Sequence, residues 1–222
     1  MPDAGYTATD TMTLTDALLI LTAYLIGSLS GSLLLGKLRG VDIRTQGSGN
    51  AGGTNALRTQ GAKFALGVVV IDIGKGVLAP WLAAHFGTPA SALWLPYAAA
   101  FAAVLGHIWP VWHGFRGGKG AATAFGGMAM LWPAAMPGLF ALWLLCIIFT
   151  GYVGLSTMLA ALAFALASLI VGGDAARSVF AIAVAALIVF SHRANVARLR
   201  AGTESRFEKA MLLRRWTQRR GR

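Results

Sequence analysis

The sequence predicts an all-α integral membrane protein, and two observations support that prediction. Hydrophobic residues make up 56% of the chain and charged residues only 12%. Several apolar runs reach about 20 residues with at most one or two charges, the length that a helix needs to cross a bilayer. A net charge of +11 would suggest nucleic acid in a soluble protein. In so apolar a chain it instead indicates topology and attraction to anionic lipid, so no nucleic-acid partner is expected.

Seven apolar segments are candidate spans of a compact helix bundle. They are Ala17 to Leu35, Phe64 to Phe86, Ser91 to Ile108, Gly120 to Leu131, Ala134 to Gly151, Leu155 to Gly172 and Ala176 to Phe190. The fourth is short, because its 12 residues rise about 18 Å against a hydrocarbon core of about 30 Å. It therefore needs flanking residues to cross, or it is re-entrant. The first basic residue, Lys37, follows the first run, so we expect that run to stay as a span rather than to act as a secretory signal.

The distribution of basic residues predicts the topology. No Lys or Arg precedes the first span, five lie in the first loop, Arg116 and Lys119 lie in the third loop, and ten follow the last span. The positive-inside rule then places the N-terminus outside and the first loop, third loop and C-terminus in the cytoplasm. An even number of crossings must separate Lys119 from the C-terminus, which five or seven spans satisfy and six do not. We expect one membrane domain, residues 1–206, and a basic cytoplasmic tail, residues 207–222, either disordered or helical on anionic lipid.

Two features inside the spans indicate structure rather than chemistry. Ala23, Gly27 and Gly31 recur every four residues, which lets a neighbouring helix approach closely. Asp72 and Lys75 share one face of the second span, where an internal ion pair would offset the cost of burying either charge.

Histidine and cysteine offer little sign of a metal site. His107 and His113 flank Trp109 and Trp112, and this group is typical of an interfacial aromatic belt. The single cysteine, Cys146, lies in an apolar run and excludes a disulfide framework. With no carboxylate cluster either, we expect no metal and no cofactor.

Three polar islands interrupt the apolar chain: GSGNAGGTNALR at Gly47 to Arg58, GFRGGKGAAT at Gly114 to Thr123, and SHRANVARLRAGTE at Ser191 to Glu204. Topology places all three on the cytoplasmic face. Glycines let main-chain N–H groups face an anion without side chains in the way. Their convergence with basic residues predicts a site for a phosphorylated substrate.

Two segments fit the spacing of nucleotide-binding motifs, but their sequence context excludes both motifs. GSLLLGK at Gly31 to Lys37 has P-loop spacing, but Leu38 stands where the magnesium-binding Ser or Thr belongs. GSGNAG at Gly47 to Gly52 fits G-x-G-x-x-G, but no strand precedes it and a membrane span follows it.

The first two islands each combine glycine with a basic residue. In the first, Arg58 offers a planar fork for two phosphate oxygens, alongside the candidate binding residues Gly47, Ser48, Gly49, Asn50, Gly52, Thr54 and Asn55. In the second, Lys119 stands between glycines, so that one ammonium and bare amides could share a phosphate at Gly117, Gly118 and Gly120.

The third island carries a polar pair. His192 and Asn195 lie one turn apart and so on one helix face at the cytoplasmic end of the last span. His192 is either a helix cap or a group that faces the site.

Together the islands resemble the motifs of the bacterial acyl-phosphate:glycerol-3-phosphate acyltransferases, small polytopic inner-membrane enzymes of phospholipid synthesis. GSGNAGGTN is similar to the first family motif, GHIWPVWHGFRGGKGAAT to the second and HRANVARLRAGTE to the third, in the family's order and over nearly the whole chain. The resemblance implies acyl transfer from an acyl phosphate to the sn-1 hydroxyl of glycerol 3-phosphate, giving lysophosphatidate and phosphate. It implies that Ser48 and Arg58 are the essential residues of the first motif, that the Lys119 loop binds glycerol 3-phosphate, that His192 and Asn195 are linked to activity, and that Glu204 supports structure.

The chain departs from the family in the first motif, where Ala51 and Gly53 replace the usual proline and alanine, and in one further loop. In GYVGLST, Gly151 and Gly154 replace the usual arginine and first serine, so any polar contribution there falls to Ser156 and Thr157.

The predicted chemistry agrees with what these residues can do. An acyl phosphate carries its own leaving group, so the enzyme has mainly to align two anions and neutralise their charge. Neither the His-x4-Asp pair of thioester-dependent acyltransferases nor a G-x-S-x-G elbow occurs in the sequence. A phosphate transporter is the alternative, although its site would be expected near the midplane between repeats. The sequence leaves the oligomeric state open and is compatible with a monomer.

Overall fold

The computed structural model describes residues 12–172 and 174–208, and the regular elements in those ranges are helical. The α-helices are α1 (Leu14–Gly27), α2 (Gly31–Leu38), α3 (Gly53–Gln60), α4 (Ala62–Phe86), α5 (Leu95–Ile108), α6 (Ala121–Leu131), α7 (Met136–Thr150), α8 (Val153–Val171), α9 (Ala175–Ser191) and α10 (Arg193–Arg200). The predicted all-α class is confirmed. The tail beyond residue 208 lies outside the described residues, and the division of the chain at residue 206 stays a prediction.

Length and composition identify the helices that can cross a membrane. Within the described residues, four helical stretches qualify, namely Ala62–Phe86, Leu95–His113, Pro133–Thr150 and Val153–Val171. Two bent pairs, α1 with α2 and α9 with α10, raise the number to six if each pair is one span. Helix α6 is apolar but has only 11 residues, a rise of about 17 Å. The apolar helices match the predicted segments, and the fourth segment is as short as the sequence indicates.

The first predicted span is not one continuous helix. The segment Ala17 to Leu35 is interrupted after Gly27, and α2 begins at Gly31 with a bend of 48°. Buried polar groups from α4 bind the exposed backbone at this break: Lys75 Nζ donates to the carbonyl oxygens of Gly27 and Leu29, at 2.8 and 2.9 Å. A helix can break inside a membrane only where other groups satisfy its freed backbone atoms, and the partners here are 46 or more residues away in the chain.

Small residues bring two helix pairs into close contact. A Cβ on Gly27 would collide with the Ala103 carbonyl of α5, which confirms the packing role predicted for the small-residue stripe of α1. Between α4 and α6, a Cβ on Gly76 would collide with the carbonyl of Thr123, and a Cβ on Gly126 with that of Ile73. These contacts fix α6 directly against α4 and so fix the loop that leads into α6.

Candidate active site

A cavity of about 350 Å³ lies between α4, α6, α7 and α8. Most of its wall is apolar and includes Val69, Phe125, Met128, Leu139, Phe140 and Trp143. Its polar lining comes from Gly52 to Thr54, from Lys119 and Gly120, and from Asp72, His107 and Thr157. The cavity therefore joins a polar end to an apolar interior, a shape that suits a molecule with a charged head and a hydrocarbon tail.

Three helices begin at this cavity. Gly53 and Thr54 open α3, Ala121 and Ala122 open α6, and Val153 opens α8, and all five residues line the cavity. The N–H groups in the first turn of a helix have no acceptor within the helix, and the helix dipole adds positive potential there. Such N-termini bind phosphate and carboxylate groups. Their convergence makes this end of the cavity suitable for an anion.

The first island folds onto itself before α3 begins. Asn55 is buried, and its amide nitrogen donates to the carbonyls of Ile43 and Gln46, at 3.1 and 2.9 Å, while its oxygen accepts from Ser48 N at 2.9 Å. Gly49 N also donates to a carbonyl of this loop. Asn55 thus shapes the loop with all of its amide protons in use, whereas the sequence indicated that it binds substrate.

The second island does not present to the cavity the backbone N–H groups that the sequence predicts for phosphate binding. Gly117 N donates to the carbonyl of Ile108 at 3.2 Å, and Gly118 N to that of His107 at 3.1 Å. Both N–H groups therefore complete the C-terminus of α5 and are not available to a phosphate. The amides that remain at the cavity are those of the first turn of α6, immediately after Lys119 and Gly120.

Lys119 connects the second island to the third. Its Nζ donates to Asn195 Oδ1, and its carbonyl accepts from the Ser191 hydroxyl at 2.9 Å. Asn195 Nδ2 donates in turn to Glu204 Oε1 at 2.6 Å, and Arg198 Nε donates to Glu204 Oε2 at 2.6 Å. Burial, with repulsion from Arg198, lowers the pKa of Lys119 to about 8. The ammonium is thus held at the cavity by a network that runs through three elements.

His192 lies at the junction of α9 and α10, and its side chain is directed by the last turn of α9. Its Nδ1 is 2.8 Å from the carbonyl oxygen of Ile188. Since a carbonyl only accepts, Nδ1 carries the proton and Nε2 of the neutral ring is left with a free lone pair. His192 and Asn195 are both buried, at 5% and 6% exposure, and neither lines the cavity.

The structure separates the predicted site residues into two groups. Gly52, Thr54, Lys119, Gly120 and Thr157 line the cavity. The remaining predicted residues lie outside its lining: Gly47, Ser48, Gly49, Asn50, Asn55, Arg58, Gly117, Gly118, Ser156, His192 and Asn195.

The residues outside the lining include Ser48 and Arg58, the two residues of the first motif that the resemblance implies are essential. Ser48 is exposed on its loop, and Arg58, in the last turn of α3, places Nη2 3.5 Å from the Ser205 carbonyl. Ser156 is fully buried and donates to the Tyr152 carbonyl at 2.9 Å. Gly154 lies against Asn195, whose Nδ2 would be 2.9 Å from an added Cβ.

His107 lines the cavity, which the sequence does not predict. Its tryptophan neighbours favour an interfacial aromatic belt, but the residue is 2% exposed and faces the cavity. Its Nδ1 lies 2.8 Å from Lys75 Nζ and 3.4 Å from Asp72 Oδ1. The Asp72–Lys75 ion pair itself, at 3.1 Å, is confirmed. One feature of the sequence indicates that His107 lies near the site: it stands at the end of an apolar segment, ten residues before the glycine loop.

An apolar cavity with a cationic end, enclosed by membrane helices, defines the class of a membrane-embedded enzyme that acts on an anionic amphiphile. Within that class the chain belongs to the glycerol-3-phosphate acyltransferase family, whose model matches residues 17–202.

Relatives and solved structures agree with this assignment. The chain is 42% identical over 193 residues to a glycerol-3-phosphate acyltransferase of Parasynechococcus marenigrum, covering 86% of this chain and 89% of that one. It is 42% identical over 196 residues to the enzyme of the same description from Halalkalibacterium halodurans, covering 85% and 94%. The crystal structure of PlsY (YgiH), an integral membrane glycerol 3-phosphate acyltransferase in its glycerol 3-phosphate form, has a TM-score of 0.82 at 35% identity and covers 89% of this chain and 98% of that chain. The lysophosphatidic acid form has a TM-score of 0.81 at 33% identity, with the same coverage.

Proposed function

We propose that this acyltransferase moves a fatty acyl group from an acyl phosphate to the sn-1 hydroxyl of glycerol 3-phosphate. The products are lysophosphatidate and inorganic phosphate. The family assignment and the glycerol 3-phosphate and lysophosphatidic acid forms of the related structure support the acceptor and the product.

One observation carries the proposal for this chain: the cavity joins Lys119 and three helix N-termini to an apolar interior. Both substrates carry phosphate, and one also carries a long hydrocarbon chain. The ammonium and the first-turn amides would offset the repulsion between two phosphates, while the wall formed by α6, α7 and α8 would hold the acyl chain. Two anions and one acyl chain thus meet at the polar end of the cavity.

The transfer needs no nucleophile from the protein. The sn-1 oxygen attacks the acyl carbonyl carbon, the new ester C–O bond forms, and the bond from that carbon to the phosphate oxygen breaks with release of phosphate. Alignment of the two substrates supplies most of the acceleration. Lys119 and the α6 amides stabilise the negative charge that develops, and Asn195 orients the ammonium of Lys119.

Ser48 and Arg58 of the first motif act from outside the cavity lining in this proposal. Arg58 has a long, exposed side chain whose Nη2 makes a weak hydrogen bond to the Ser205 carbonyl at 3.5 Å, so it can turn toward a bound phosphate. Ser48 is exposed on the loop that leads into α3 and can donate its hydroxyl to the same group. We assign Gly47, Gly49, Asn50 and Asn55 to the shape of that loop.

Two groups are candidates to accept the hydroxyl proton: an oxygen of the acyl phosphate, and His192 Nε2, which would act from outside the cavity lining. A base contributes about 10²- to 10⁴-fold to a rate. If His192 is the base, His192→Ala lowers kcat by at least about 10²-fold with little change in KM. Near-normal kcat in that variant assigns the proton to the phosphate.

Rapid-quench labelling that traps an acylated Ser48 would contradict direct transfer by either route.

The proposed location is the inner membrane of a bacterium, with the polar end of the cavity at the cytoplasmic face. The support is the distribution of basic residues, which places Lys119 and the residues after α9 on the same side. Both substrates would then be met on the cytoplasmic side. Cysteines introduced singly at Gly114 and at Thr88, with Cys146 replaced by Ser, test this with a membrane-impermeant thiol reagent. In sealed inverted vesicles the first should be labelled and the second protected.

One assay tests the reaction. Purified protein in detergent, given an acyl phosphate and labelled glycerol 3-phosphate, should produce labelled lysophosphatidate, whereas acyl-CoA as the sole donor should not. Product from acyl-CoA alone would overturn the proposed donor. Uptake of glycerol 3-phosphate into proteoliposomes without acylation would instead favour a transporter.

A further inference from the structure

Three buried ionisable side chains meet inside the bundle next to the cavity, and we call Asp72, Lys75 and His107 the buried triad. Their exposures are 1%, 5% and 2%. Lys75 Nζ lies 3.1 Å from Asp72 Oδ1 and 2.8 Å from His107 Nδ1. Burying three such groups in a membrane protein is costly, so a purely apolar cluster would be expected unless they perform a task.

One part of that task is to hold the break between α1 and α2. Lys75 donates to the carbonyls of Gly27, the last residue of α1, and of Leu29, within the break. Asp72 Oδ1 accepts from Gly31 N, the first residue of α2, at 3.1 Å. The triad thus provides partners for both sides of the break. Binding to the break accounts for the presence of Asp72 and Lys75, but it does not account for the presence of His107.

The other part involves the second island. Gly118 N donates to the carbonyl of His107, and a Cβ on Gly118 would collide with His107 Nε2. Gly118 is also confined on its other side, since that Cβ would lie 2.7 Å from the carbonyl oxygen of Ala51 in the first island. The residue immediately before Lys119 is therefore clamped between the imidazole of His107 and the loop of the first island.

The triad fixes the orientation of this imidazole. An ammonium only donates, so Nδ1 of His107 accepts from Lys75 and the ring proton lies on Nε2, the edge that faces Gly118. Asp72 holds the ammonium in place from the same helix, one turn away. A shift of the ring would move Gly118, and with it Lys119 relative to the first turn of α6.

We propose that the buried triad is a positioning device for Lys119, in which Asp72 and Lys75 orient His107 and His107 sets the glycine loop at the polar end of the cavity. None of the three residues needs to touch the reacting atoms. The inference rests on the proposed function only for the identity of the anion that Lys119 binds.

The experiment compares binding, turnover and stability in three triad variants and one control. The variants are Asp72→Asn, His107→Asn and His107→Gln. The control is Asp16→Asn, because Asp16 is also a carboxylate at 1% exposure that caps α1 and binds Ser91 at 2.7 Å, but it is not part of the cavity lining. Each protein in detergent is measured for glycerol 3-phosphate binding by calorimetry, for KM and kcat, and for its thermal unfolding midpoint.

We expect Asp72→Asn and Asp16→Asn to lower the unfolding midpoint by similar amounts. Only the triad variants should weaken glycerol 3-phosphate binding and raise its KM, by about tenfold for Asp72→Asn and His107→Asn, which corresponds to about 1.4 kcal/mol. His107→Gln should lose less, because its amide nitrogen can occupy the position of Nε2 whereas the shorter Asn cannot reach it. This difference between Gln and Asn is not expected from a role in folding alone.

The proposal is overturned if Asp72→Asn and His107→Asn bind glycerol 3-phosphate as the unmodified protein does, whatever their stability. It is equally overturned if Asp16→Asn weakens binding as much as the triad variants. Failure of the proposed function looks different: the unmodified protein would form no lysophosphatidate, while the binding measurements would still compare the variants. If Asp72→Asn does not fold, the two His107 variants carry the test.

Discussion

The first and second islands are similar as sequences and differ as sites. Each folds its early glycines back onto neighbouring carbonyls, and each presents the first turn of a following helix to the same cavity. They differ in where the cation stands. Lys119 precedes its helix and lies at the cavity, whereas Arg58 is five residues into α3, about 8 Å along the axis from Gly53.

This difference teaches that the role of a basic residue near a glycine-rich loop depends on whether it lies before or after the first residue of the following helix. A cation before the first turn adds to the positive end of the helix dipole, and it needs other groups to hold it there. Asn195 and the Ser191 hydroxyl supply that support for Lys119. Arg58 lies at the negative end of α3 and is exposed, so it is free to move.

Replacing the two cations is the largest expected effect. Lys119→Met should lower kcat/KM by about 10³-fold and Arg58→Met by about 10²-fold. The ammonium is partly buried, where charge interactions are stronger, whereas the guanidinium is exposed and screened. Steady-state kinetics with both substrates measures this. A larger loss for Arg58→Met than for Lys119→Met would reverse the comparison between the islands.

Crowding the second island should have the next largest effect. In Gly118→Ala the added methyl group would collide with His107 Nε2 and approach the Ala51 carbonyl, a strain of about 2 kcal/mol that corresponds to about 30-fold in kcat/KM. The matched control is Gly138→Ala in α7, where a Cβ meets nothing within 4 Å. Equal kinetics for the two variants would show that the Gly118 loop tolerates displacement.

The charge state of Lys119 predicts a pH dependence. Its pKa is lowered to about 8, so the ammonium is present below that pH and is lost as the pH rises through it. The kcat/KM for glycerol 3-phosphate should fall by up to about tenfold per unit above pH 8, since this ratio reports the free enzyme. Lys119→Arg keeps its charge in that range and should lack this alkaline fall. If the fall persists in Lys119→Arg, another group is responsible.

The smallest effect on kcat/KM is expected from changing Glu204, which holds the Asn195 side chain that binds Lys119. Glu204→Gln weakens the hydrogen bonds that Glu204 accepts from Asn195 and Arg198, and it should lower kcat/KM about fivefold, a cost of about 1 kcal/mol. Glu208→Gln, at an exposed position, is the control. A loss as great as that of Lys119→Met would mean that Glu204 participates in the reaction rather than supporting Asn195.

The sequence predicts the helices well because a bilayer leaves little choice. Backbone groups in hydrocarbon must bond within their own segment, so runs such as Ala62–Phe86 and Val153–Val171 become helices whatever their neighbours are. The break after Gly27 depends on a contact with Lys75 of another helix. The local sequence around Gly27 does not reveal that contact.

The site was predictable in composition and less so in geometry. Glycine and lysine in sequence indicate an anion, but they do not show which amides α5 will take. The N–H groups of Gly117 and Gly118, which the sequence predicts to face a phosphate, donate to carbonyls at the end of α5. The side chain of Asn55, a predicted substrate-binding residue, donates both amide protons within its own loop. His107 was obscured because adjacent tryptophans suggested an interface. Each of these outcomes depends on contacts between segments that are distant in the chain.

The residues after α10 cross back over the bundle. Phe207 N donates to the carbonyl of Gly151 at 2.7 Å, Arg206 Nε donates to the Tyr152 hydroxyl at 3.0 Å, and Glu204 binds Asn195. During synthesis the apolar helices α1 to α9 are therefore made before the segment that joins α8 to α10. A nascent chain halted after Leu199 would hold every described apolar helix and yet leave Asn195 without its acceptor. The contact that supports Asn195 therefore forms last, after these helices have been inserted into the membrane.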